Sequence, residues 1–221
     1  MPYNRVNYSG PYNRMSNPEL EFIKNVENTR VLIVYSNAFT ANLAIFYYLL
    51  PNLMEKGGDL YNIIYSESAT RTLEHTYRSL EKFRPEIAEI LDMSNVIKIG
   101  RTAKIPFGKL YDFIPINNIH ELTKTLENLG DLAIFHGFSI LFAFMPLEIE
   151  FLDYIPNDTT FIAECNRCVY SNKLTLFFDV VLSAEEDDIG FNNYNVLSVL
   201  YSAILDITPG FNIRYEGKTY L

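Results

Sequence analysis

Residues Arg30–Leu50 read RVLIVYSNAFTANLAIFYYLL. A β-branched apolar run is followed by a small polar knot, SNAFTAN, and then by a longer apolar pattern. This predicts a buried strand Val31–Tyr35, a tight connection and a helix Thr40–Met54. Strand, loop and helix in that order are the layout in which backbone N–H groups at a helix start cradle phosphate. Yet the knot holds no glycine, which supplies the left-handed conformations of such a loop, and no lysine, which supplies its charge. In place of a cradle, Ser36 or Asn37 is expected to cap the helix, and Phe39 to plug the turn.

The alternation continues outward. Asn17-Pro18-Glu19 carries an N-cap, a first-turn proline and an acid, so a helix is expected to run to about Glu27. Strands are expected at Tyr61–Tyr65, Asn95–Ile99, Asp131–Phe135 and Thr159–Glu164. Helices are expected at Ala69–Phe83 continuing as Pro85–Leu91, at Ile119–Leu129, and at Phe138–Tyr154 with a break at Pro146. Phe107–Ile116 reads as an irregular stretch with strand character. From Phe177 the pattern is strand-rich: FFDVVLSA, an acidic loop EEDDIGFNN, then YNVLSVLYSAILDI, a Pro-Gly turn and FNIRYEGKTYL, a meander of antiparallel strands closing one edge. Repeated βα units followed by hairpins specify an α/β three-layer sandwich around a mostly parallel sheet. In such sheets ligands bind outside the carboxyl ends of the strands, so residues just after strands are the functional candidates.

Composition narrows the functions. With 48% apolar and 20% charged residues, the 221-residue chain buries a full core. One domain is expected over residues 18–221. Residues 1–17 read as a flexible arm in which PYNR occurs twice and Tyr3, Tyr8 and Tyr12 alternate with Arg5 and Arg14. This arm is the candidate contact element for a protein partner. A net charge of −9 leaves no general basic surface for phosphate backbones, which argues against nucleic acid as a partner of the isolated chain. The longest apolar stretches fall short of the roughly 20 residues needed to span a bilayer, and the N-terminus lacks a secretion-signal core. A cytoplasmic protein without membrane association is expected. Sixteen tyrosines and sixteen phenylalanines without tryptophan suggest a tightly packed, thermophile-like core.

With its elements in this order, residues 18–221 resemble the RecA superfamily of P-loop ATPases, within it the archaeal KaiC-like and RadA-paralogue group. The resemblance implies a RecA-like sandwich and assigns roles by position. Its phosphate loop, GxxxxGK[ST], falls on Tyr35, Ser36, Asn37, Ala38, Phe39, Thr40, Ala41 and Asn42. Tyr35 and Thr40 stand where glycines belong, Ala41 replaces the lysine and Asn42 the magnesium-binding hydroxyl. The magnesium-organising aspartate falls on His136, and a neutral imidazole is no substitute at a hard cation. The acid that polarises the attacking water falls on Glu67, and the late basic patch falls on Leu200–Ala203, which has no base. No nucleotide cofactor is expected. The resemblance thus implies a catalytically inactive scaffold, adaptor or regulatory subunit, its partner a second copy or an active relative, in recombination and repair or in a KaiC-like signalling or motility complex. The alternative is a ligand-binding protein or enzyme using the same crevice through Glu67, His136, Ser36, Asn37, Thr40 and Asn42.

Other chemistries find less support. Cys165 and Cys168 form a CxxC with no second pair to complete a zinc site, so structural thiols are expected ahead of metal or redox roles. His136-Gly137-Phe138-Ser139 lacks the nucleophile elbow of a serine hydrolase. The glycine-free first turn excludes a dinucleotide fingerprint. Glu185–Asp188 lacks the spacing of a calcium loop and reads as a solvated turn.

Overall fold

Alternation of buried side chains along the strands sets the layers. A computed structural model describes residues 18–144, 146–189, 192–204 and 207–215; the N-terminal arm lies outside the described residues. Nine strands form one sheet in the order β4-β3-β2-β5-β6-β1-β7-β8-β9. They span Arg30–Tyr35 (β1), Leu60–Tyr65 (β2), Asn95–Gly100 (β3), Lys109–Pro115 (β4), Leu132–His136 (β5), Thr160–Asn166 (β6), Val180–Ile189 (β7), Asn192–Ser202 (β8) and Asn212–Tyr215 (β9). Pairings from β4 through to β7 are parallel, while β8 and β9 are antiparallel. The α/β class and the mixed sheet agree with the sequence.

Because side chains alternate across a strand, β1 sends Val31 and Ile33 to one face and Leu32 and Val34 to the other. The first face is covered by α1 (Pro18–Val26), by the helical stretch after β1, and by α4 (Ser66–Phe83) and α5 (Pro85–Met93). The second is covered by α6 (Leu122–Leu126), α7 (Phe138–Phe144) and the 3-10 segment Pro146–Tyr154. This is the expected three-layer sandwich. The break expected at Pro146 separates α7 from that segment.

The helix expected over Thr40–Met54 is composite: α2 (Ala38–Asn42), a π-helical segment Leu43–Leu49, and α3 (Leu50–Leu53). Pro51 explains part of this. A proline inside a helix has no N–H to donate, and its ring clashes with the carbonyl four residues back. Just before it, Leu50 N donates to Ile45 O, five residues back, and the ladder returns to four-residue spacing at Met54 N to Leu50 O. The wider turns leave Leu43, Ala44, Ile45, Phe46, Tyr48 and Leu49 all buried.

Two expectations are corrected. The acidic run is no loop: Glu185 and Glu186 belong to β7, which is parallel to β1 as far as Ala184 opposite Tyr35 and beyond that pairs only with β8. Past the end of β1 the two strands form an overhanging ribbon, where exposed Glu185 and Glu186 cost nothing in burial. The helix expected over Ile119–Leu129 is shorter: the 3-10 segment Ile116–Glu121, which holds Asn118 at φ −115, takes its first residues, and α6 ends at Leu126.

Candidate functional site

The β1–α2 junction is tighter than a phosphate loop. Asn37 is the N-cap, in extended conformation, and its side chain accepts a hydrogen bond from Phe39 N at 3.0 Å. Thr40 N donates to Asn37 O, and the Thr40 hydroxyl donates to Asn37 O at 2.7 Å and reaches Ala184 O on β7 at 3.1 Å. The N–H groups of Phe39 and Thr40 are therefore consumed locally. Because the helix starts at Ala38, Ala41 points into the core and is fully buried. A lysine at that position would lie in the hydrophobic interior, not over a phosphate.

Beyond this junction, one face of the sheet carries a row of polar residues near the carboxyl ends of its strands. Lys98 on β3 and His136 on β5 both pair with Ile64 on β2, and Glu164 on β6 pairs with Ile33 on β1. Each occupies a core-facing parity, Lys98 beside Val96, His136 beside Ile134 and Glu164 beside Ile162.

Lys98 is 0% exposed, yet its ammonium donates to Ser66 O at 2.9 Å and Ile99 O at 3.1 Å. Burial lowers its pKa, and nearby Glu67 pulls it back up. Desolvation alone would raise the Glu67 carboxyl; backbone N–H bonds from Arg101 at 2.6 Å and Thr102 at 3.1 Å hold it below the usual range. Together they fix a strained joint, since Ser66 between β2 and α4 has φ +80, a conformation rarely adopted without glycine.

His136 is 1% exposed and stacks on Phe46 of the π segment with ring centroids 5.7 Å apart. Its tautomer follows from a buried relay. The Ser94 hydroxyl donates to Leu91 O at 2.6 Å and so accepts from Asn62 Nδ2 at 3.0 Å. Asn62 Oδ1 therefore faces His136 Nε2, 3.1 Å away, and Nε2 carries the proton. Burial pushes the imidazole down to about 3, so the ring is neutral at ordinary pH. Its Nδ1 is buried, holds a lone pair and has no partner among the described residues.

That ring lines a pocket of about 120 Å³ with Glu164, Tyr35, Ala38, Asn42, Ser68, Ala69, Thr72, Leu73, Gly137, Ser139 and Ile140. Glu164 accepts one bond, from Gly137 N at 3.2 Å, and burial pushes its carboxyl up to about 7. Burial also raises the Tyr35 phenol to about 12, with Glu164 adding to the effect. Gly137, at φ +80, is needed here: a Cβ would meet Tyr65 O at 2.6 Å. No lysine or arginine among the described residues lines the pocket, and ligand pockets usually enclose about 300–1,000 Å³.

No protein-family model and no curated protein matches this sequence. Solved structures do match in shape. The flagellar accessory protein FlaH from Methanocaldococcus jannaschii aligns with TM-score 0.50 at 13% identity, over 88% of this chain and 90% of that one. The KaiC-like protein PH0186 from Pyrococcus horikoshii OT3 aligns with TM-score 0.54 at 9% identity, over 86% of each chain. The chain has the RecA-like fold.

Within that RecA-like frame the sequence-derived candidates separate. His136, Tyr35, Ala38 and Asn42 meet at the pocket, where Asn42 also donates to Thr76 on α4 at 3.2 Å. Ser36 and Asn37 are exposed at the cap. Phe39 plugs nothing: it is 44% exposed and lines a neighbouring groove with Tyr47, His75 and Phe83. Glu67 is engaged at the β3 turn and does not line the pocket. Cys165 is buried and Cys168 exposed, both free. Ser139 donates to Glu164 O at 3.3 Å and accepts from Asn166 N at 2.7 Å, which ties its hydroxyl to β6. Sequence reading missed Asn62, Lys98 and Glu164. The available signal was a single polar residue inside or ending an apolar run, in LYNIIY, NVIKIG and TFIAE.

Proposed function

We propose that this protein is a RecA-like subunit that does not hydrolyse nucleotide and acts through protein contacts, as a scaffold, adaptor or regulatory component. The observation that carries this reading is the β1–α2 junction, where the helix begins at Ala38 and Asn37 and Thr40 use up the backbone groups a phosphate would need. His136 at the position of the magnesium-organising acid supports it, since its neutral, deeply buried ring offers little to a hard cation. The partner is a second copy of this chain or an active RecA-like relative, and the arm at residues 1–17 is the contact element. One of the structurally similar proteins is itself described as an accessory protein, which fits a supporting role in an assembly. No described helix is long and apolar enough to cross a membrane, and a cytoplasmic setting fits this reading.

Thermal unfolding with Mg-ATP or ADP tests the proposal. No shift is expected at millimolar nucleotide. A stabilisation of about 2.7 kcal/mol, which a ligand at a hundredfold excess over Kd gives, would overturn it. So would hydrolysis above a buffer blank that disappears in Glu67→Gln. Light-scattering mass of the chain with and without residues 1–16 tests the contact role, and a reduced mass is expected on deletion.

A further inference from the structure

The pocket at His136 has a chemistry unlike that of a phosphate site. Two of its lining residues carry underused acceptors: Nδ1 of His136, which has no partner among the described residues and whose tautomer the Asn62–Ser94 relay fixes, and the Glu164 carboxylate, which receives the backbone N–H of Gly137. The hydroxyl-bearing residues Tyr35, Ser68, Thr72 and Ser139 also line it, no cationic side chain does so among the described residues, and Ala69, Leu73 and Ile140 supply an apolar side. A buried acceptor with no donor costs about 1–3 kcal/mol, so a fold that holds one in place leaves an unused valency. An anion placed here would face a lone pair and a carboxylate.

We propose that this pocket binds a small primary ammonium, whose N–H groups donate to His136 Nδ1 and Glu164 while a short alkyl tail lies against Ala69, Leu73 and Ile140. An ammonium carries three donors and one positive charge, which matches two acceptors, one of them anionic, and a ring of hydroxyls. The volume of about 120 Å³ suits a tail of a few carbons and excludes a nucleotide. Asn42, which lines the pocket, donates to Thr76 and so ties α2 to α4 beside it. The inference is independent of the accessory role proposed for the protein.

The test uses the full chain labelled with 15N-histidine at pH 8, titrated with ethylammonium chloride. The His136 Nδ1 resonance, assigned by its loss in His136→Asn, is expected to shift saturably as its lone pair accepts a hydrogen bond, while Nε2 stays on Asn62. Melting temperature is expected to rise in parallel. Tetramethylammonium, which has the charge but no N–H, should leave the Nδ1 resonance in place, as should acetate and inorganic phosphate. Glu164→Gln keeps the shape of the side chain and should weaken binding about tenfold, the loss expected on removing one charge-assisted hydrogen bond. A Nδ1 resonance that does not move, an equal response to tetramethylammonium, or unchanged affinity in Glu164→Gln would overturn the proposal.

Discussion

Lys98 and His136 lie on either side of Ile64, on the same face of the sheet, and both are buried. Their surroundings differ. The Lys98 ammonium has two carbonyls and a nearby carboxylate, and that carboxylate in turn has two backbone N–H donors. His136 has one ring nitrogen satisfied and the other bare, and adjacent Glu164 is similarly underused. A closed network of this kind holds a joint, here the strained Ser66 between β2 and α4. An open one of equal burial leaves acceptors unused, which is the ground for the ammonium site proposed above. Charge and burial alone do not distinguish the two roles; the count of remaining donors and acceptors does.

Removing the closed network should have the largest effect. Lys98→Ala strands the Ser66 and Ile99 carbonyls and takes from Glu67 its nearby cation, so a loss of about 3–5 kcal/mol is expected in urea unfolding. A loss below about 1 kcal/mol would mean that the joint is held elsewhere.

The open pair predicts opposing pH slopes. His136 titrates lower in the folded state than unfolded, so its contribution is complete above pH 6.5 and is lost as pH falls toward 3. Glu164 titrates higher folded than unfolded, so its contribution is complete below pH 4.5 and is lost as pH rises through 7. In the unaltered protein the two slopes oppose each other between pH 4.5 and 6.5. Glu164→Gln leaves the histidine slope alone, with a stability loss of roughly 2 kcal/mol between pH 7 and 5. His136→Asn leaves the glutamate slope, with a loss of roughly 2–3 kcal/mol between pH 4.5 and 7. Parallel slopes in the two variants would show that these groups do not titrate as their burial implies.

The smallest effect belongs to the cap. Asn37→Ala should cost about 1 kcal/mol by freeing the Phe39 N–H, measured by thermal unfolding. Gain of phosphate binding in that variant would show that the cap alone excludes an anion from this turn.

These contrasts also mark what the sequence discloses. Apolar runs such as RVLIVY and LAIF identify the strands because fully buried parallel strands need no polar alternation. Asn37 as cap was legible because capping is local, and His136 stood out because it ends a strand at the edge where ligands bind. The relay was not legible. Asn62 and His136 are 74 residues apart, and nothing in either neighbourhood records that β2 and β5 lie side by side. The acidic run was read as a loop because its neighbours are polar, whereas pairing to β8 is a tertiary property. Glu67 was placed by analogy of position, and only the fold shows its carboxylate turned toward Arg101 and Thr102.

The π segment also constrains how the chain can change length. A wider turn accommodates about one more residue than an α-helix would over the same rise. Deleting one residue between Leu43 and Leu49 would let the helix tighten to α-helical register with both flanks keeping their faces, whereas the same deletion in an ordinary α-helix would rotate one flank by about 100° relative to the other. Ala38 and Asn42 would stay at the pocket wall, and Thr40 would keep its reach to Ala184. The segment thus gives one residue of length tolerance to a stretch that otherwise looks like ordinary hydrophobic helix.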